Sequence, residues 1–87
     1  MSGDRYHRRR LAIAEMNSRM KDRKFMRESP REELGLLEKI SARICLNYGL
    51  DEKDDFAVWK AVHKRALWYG FDGLAAEIEA IYLKKEF

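Results

Sequence analysis

Twice in the chain, at residues 46–51 and 67–72, the same signal recurs: "LNYGLD" and "LWYGFD". Each runs Leu-x-Tyr-Gly, then Leu or Phe, then Asp. Glycine enters the left-handed backbone region at little cost, so it is favoured just past a helix C-terminus. An apolar residue behind it folds back on the last turn, and an aspartate can cap the next helix start. Gly49 and Gly70 are therefore expected at positive φ, with Asp51 and Asp72 as N-caps. Joints this short send each helix back along its predecessor. The duplication reads as one stop-and-start joint used twice; a single period does not make a repeat protein.

The start of this helical series is equally legible. In "SPREE" Ser29 is the expected N-cap, Pro30 the first helical residue and Glu32 the partner that closes a capping box. From Pro30 onward Leu34, Leu37, Ile40, Ser41, Ile44, Cys45 and Tyr48 share one half of the helical circumference, with Arg31, Glu38, Lys39 and Leu46 outside it. Between the joints, residues 52–69 place Phe56, Val58, Trp59, Val62, His63, Ala66, Leu67 and Tyr69 on one half, which makes this helix the expected centre of the core. The last helix, from about Gly73, has Leu74, Ile78, Ile81 and Tyr82 inward. Its acids come early and its lysines late, as the helix dipole prefers.

The N-terminal segment, residues 4 to about 27, has no proline or glycine and reads as one long helix of roughly 35 Å. Its periodicity is the weakest of the four. Tyr6, Ile13, Met16 and Met20 form one narrow stripe, and Leu11, Ala14 and Phe25 a second. No segment has the strand period. The expected fold is all-α: one small four-helix domain over residues 1–87, with a basic N-terminal helix and a helical core from about residue 30.

Size and composition narrow the function classes. Eighty-seven residues make one domain. The lone Cys45 forms no internal disulfide, and no apolar run reaches membrane length, so a cytoplasmic protein without membrane attachment is expected. With only His7 and His63 besides that cysteine, a zinc set is not expected, nor is any other metal or cofactor. "DEKDD" lacks the glycine and ligand spacing of a calcium loop and reads as helix-start acids. There is no phosphate loop, nucleophile motif or metal-spaced histidine pair. The chain is therefore expected to be non-catalytic, with no small-molecule substrate. His63 and Cys45 read as core residues.

What remains is surface. Residues 1–31 carry ten Lys/Arg against four Asp/Glu, while residues 32–87 carry eight against eleven. This asymmetry points either to an anionic partner or to docking of the basic end on the acidic remainder. At about 100° per residue, Arg5, Arg8, Arg9, Arg19, Arg23 and Arg27 fall within an arc of about 100°, with Ala12 and Met16 between them. Such a stripe suits DNA or RNA phosphates, because arginine donates bidentately. A nucleic-acid partner is the first expectation. The second is a protein partner or a homo-oligomer, met through the apolar row Ala76, Ala80, Leu83 and Phe87 and through Trp68. That tryptophan falls on the polar side of its helix, beside Ala57 and Ala61 and bordered by Lys64 and Arg65.

Overall fold

The computed structural model describes residues 2–21 and 29–84. Four helices follow one another: α1 (Ser2–Met20), α2 (Pro30–Asn47), α3 (Glu52–Tyr69) and α4 (Asp72–Ile78), the last continuing as a π-helical stretch over Glu79–Leu83. Among the described residues there is no strand, and the fold is the expected all-α one.

α2 starts where its caps require. Ser29 is extended, its Oγ accepts the Glu32 N–H at 3.3 Å, and Pro30 opens the first turn. Leu34, Leu37, Ser41, Ile44 and Cys45 are buried along the expected face, and Leu46 is exposed opposite them. Both joints close as paired reversals. Gly49 has φ 66° and Gly70 φ 84°. In the first joint the Gly49 N–H reaches the Leu46 carbonyl at 3.1 Å and the Leu50 N–H reaches that of Cys45 at 2.8 Å. In the second, Gly70 reaches Leu67 at 3.0 Å and Phe71 reaches Ala66 at 2.8 Å. Each pair satisfies two carbonyls that the helix end leaves open, which is the Schellman arrangement.

Three details depart from expectation. Asp72 is the first residue of α4 rather than its cap. Phe71 holds the cap position without a side-chain bond, and the Asp72 charge instead sits in the first turn. On α3 the buried set is Val58, Trp59, Val62 and Ala66, whereas Phe56 and Leu67 are exposed. The neighbouring helices cover a stripe narrower than half a circumference, and these two lie at its margin.

The third departure is in α4. Leu74, Ala75 and Ile78 are buried as the period demands, but the chain then widens, with the Lys84 N–H bonded to the Glu79 carbonyl. An i→i−5 turn takes up one extra residue and shifts the phase of everything after it. Ile81, expected inward, is 45% exposed, and Leu83, expected in the outer apolar row, packs against the core. Tyr82 stacks on Trp59 with centroids 4.3 Å apart and rings 11° from parallel, and its hydroxyl donates to the Glu38 carboxylate. These two contacts hold the wide turn in place.

α1 lies against α2 and α3. Its buried residues are Ala12, Met16 and Met20, with Ile13 half-buried beside them, while Tyr6, Leu11 and Ala14 face out. Lys21 is in a turn, and the expected continuation of this helix to residue 27 lies outside the described residues.

No side chain crowds the position a Cβ would take at Gly70. Gly70→Ala therefore isolates the backbone cost and should lower unfolding stability by about 1–2 kcal/mol in urea titration. D-Alanine at the same position, introduced by chemical synthesis, should cost nothing. Equal losses from both enantiomers would contradict the left-handed joint.

Candidate functional site

The basic cluster at the start of α1 meets the first joint. The Arg8 Nη1 donates to the carbonyls of Tyr48 at 3.2 Å and Gly49 at 3.4 Å, which places a cation on the open C-terminal end of α2. The Arg5 guanidinium lies 3.8 Å from the Asp51 carboxylate. Arg9 is partly buried and Arg19 exposed, and Arg23 and Arg27 lie outside the described residues. Ala12 and Met16, in the middle of the arginine arc, are fully buried. The described part of the arc is thus centred on the face by which α1 docks, with Arg5 and Arg19 exposed and Arg8 and Arg9 partly covered. Arg10, His7 and Lys21 are on the exposed side instead.

Two tyrosines tie the helices together. The Tyr48 hydroxyl donates to the Glu15 Oε1 at 2.7 Å, joining α2 to α1. That bond, and then partial burial, raise the Tyr48 phenol above its ordinary pKa. Burial first, and then donation to Glu38, raise that of Tyr82.

The groups that sequence alone offers for chemistry are occupied in the fold. Cys45 is buried, and its Sγ donates to the Asp55 Oδ1 at 3.2 Å. His63 is mostly covered, with its Nε2 3.5 Å from the Glu79 carboxylate. Among the described residues no three His, Cys, Asp or Glu side chains gather as a metal-binding group, and no helix is long and apolar enough to cross a membrane.

The apolar residues nominated for contact divide. Ala76 and Ala80 are exposed, Leu83 has turned toward the core, and Phe87 lies outside the described residues, so the expected row does not stay together. Trp68 is 72% exposed, as its position on the polar side of α3 predicts. It stands at a groove of about 740 Å³ between α1 and α3, lined by Ile13 and Asn17 from one and Ala61, Lys64, Arg65, Leu67 and Trp68 from the other. Ala61, Lys64, Arg65 and Trp68 are at i, i+3, i+4 and i+7, a two-turn stripe along one helix face. The Arg65 guanidinium lies 5.0 Å over the Trp68 ring and 6.0 Å from the Tyr69 ring, which orients the indole. Asn17 Oδ1 is buried with no hydrogen-bond partner. Sequence spacing marks Trp68 and Ala61. The α1 wall, Ile13 and Asn17, appears only when the two helices are packed.

The chain matches no family model, characterised protein or solved structure with which it was compared.

Arg8→Gln removes two bonds to the end of α2 and should lower unfolding stability by about 1 kcal/mol; an unchanged urea midpoint would contradict this tie. The tyrosines add a pH dependence. Below the ordinary tyrosine pKa of about 10 both states hold the phenol proton, so stability is flat in this respect. Above it the unfolded chain releases protons that the folded chain keeps, and stability falls. Tyr82→Phe should make that alkaline fall shallower, as read from urea midpoints between neutral pH and the alkaline range.

Proposed function

We propose that the chain is a non-catalytic helical module that acts by binding a partner protein, with Trp68 as its anchor in the groove between α1 and α3. The observation that carries this reading is the exposure of a large indole beside the small Ala61 and the half-buried Ile13. A tryptophan is seldom so exposed on a surface with no partner, and aromatic anchors beside small residues dominate protein interfaces. The wall is also helical on both sides, the form of groove that receives an amphipathic helix.

A nucleic-acid partner, the other expectation from the sequence, has weaker support. Arg5 and Arg8 are engaged with the α2–α3 joint, and the centre of the arginine arc is buried. Single-stranded nucleic acid stacks its bases on several free aromatic faces along a track. Here one face of Trp68 already carries Arg65.

Selection of helical peptides of about 16 residues from a displayed library tests the reading. Enriched peptides should carry bulky apolar residues at helical spacing. Their binding should be lost in Trp68→Ala and in Ala61→Arg, while the unfolding curves of both variants stay close to that of the parent. No enrichment, or binding indifferent to both substitutions, would contradict it.

A further inference from the structure

We infer that the occupant of the α1–α3 groove is an acidic amphipathic helix of a partner protein; this rests on the protein-binding reading above and adds the partner's chemistry. Two of the seven lining residues, Lys64 and Arg65, are cations and none is an acid. The exposed flanks extend the same sign. Lys60 is one turn before Lys64 on α3, Arg10 is one turn before Ile13 on α1, where its guanidinium lies 5.9 Å over the Tyr6 ring, and Lys21 is exposed in the turn that follows α1. The described carboxylates of these two helices are used elsewhere: Glu15 accepts from Tyr48 and Asp55 accepts from Cys45. The α3 bank therefore carries the lining cations, and exposed cations stand one turn beyond the α1 wall at either end.

An apolar floor edged by these cations selects a ligand with the opposite arrangement: a bulky apolar stripe flanked by Glu or Asp. The stripe would meet Trp68, Leu67 and Ile13, with Ala61 allowing close backbone approach. The flanking acids would meet Lys60, Lys64 and Lys21. Exposed charge pairs are individually weak but add selectivity against the wrong partner and speed encounter.

The test uses the full chain and three synthetic peptides of about 18 residues. They share one Leu-rich apolar face and carry Glu, Gln or Lys at the flanking positions; binding is read from Trp68 fluorescence and peptide anisotropy. The Glu peptide should bind about ten-fold more tightly than the Gln peptide, the Lys peptide more weakly still, and the differences should shrink at high salt. In the surface double variant Lys60→Glu/Lys64→Glu the order should reverse toward the Lys peptide.

Equal binding of the Glu and Gln peptides, lost in Trp68→Ala, would overturn the acidic preference and leave the protein-binding groove standing. Binding of none of the three, or tighter binding of a single-stranded oligonucleotide used as competitor, would overturn both. Self-association of the chain that Trp68→Ala abolishes would make a second copy the occupant and overturn the inference.

Discussion

The rest of the structure depends on the reversal at Gly49. There α2 ends with a left-handed residue, and the two N–H groups that follow close on the carbonyls of Leu46 and Cys45. The carbonyls of Tyr48 and Gly49 still point outward, and Arg8 takes both. One short joint thus ends α2, turns the chain into α3 and gives α1 a fixed landing point. Tyr48, the last residue before the glycine, donates to Glu15 and holds α1 at a second point. With α1 anchored there and buried along Ala12, Met16 and Met20, its Ile13–Asn17 edge faces α3 across the groove.

What could be read from residues alone follows from how local the controlling physics is. Ser29, Pro30, Gly49 and Gly70 act on their own backbone and immediate neighbours, so the start of α2 and both reversals are legible without any knowledge of packing. Trp68 was legible as outward-facing for the same reason, since phase within a regular helix is a local property. The α4 register was not. Its π-helical turn answers to Trp59 and Glu38, from two other helices, and the shift moves Ile81 out and Leu83 in. The arginine arc is only partly legible for a related reason. Arg5, Arg8 and Arg9 share their side of α1 with Ala12 and Met16, and long cationic side chains reach past buried neighbours to polar groups at the margin. Helical spacing alone does not distinguish such a docking face from a solvent-facing charged stripe.

The charge asymmetry of the chain takes on a double role in this account. At one edge of α1 the positive charge is spent internally, on the end of α2 and on Asp51. At the other edge Arg10 and Lys21 remain on the surface, and α3 contributes Lys60, Lys64 and Arg65 alongside. Internal docking and an external cationic groove are thus the two sides of one helix. The indole of Trp68, covered on one face by Arg65, is the point where the apolar and cationic features of the surface coincide.

Trp68 sits open to solvent in a groove lined by Lys64 and Arg65, while Trp59 is enclosed under Tyr82. Collisional quenching of tryptophan fluorescence measures this directly, using iodide and caesium at matched ionic strength on the parent chain and on Trp68→Phe. Relative to free N-acetyltryptophanamide, iodide should quench the parent more effectively than its exposure alone allows and caesium less, because cations around the indole concentrate the anion and repel the cation. In Trp68→Phe both quenchers should lose nearly all effect. Normalised caesium quenching equal to or stronger than normalised iodide quenching, or quenching that survives the substitution, would contradict an open indole in a cationic groove.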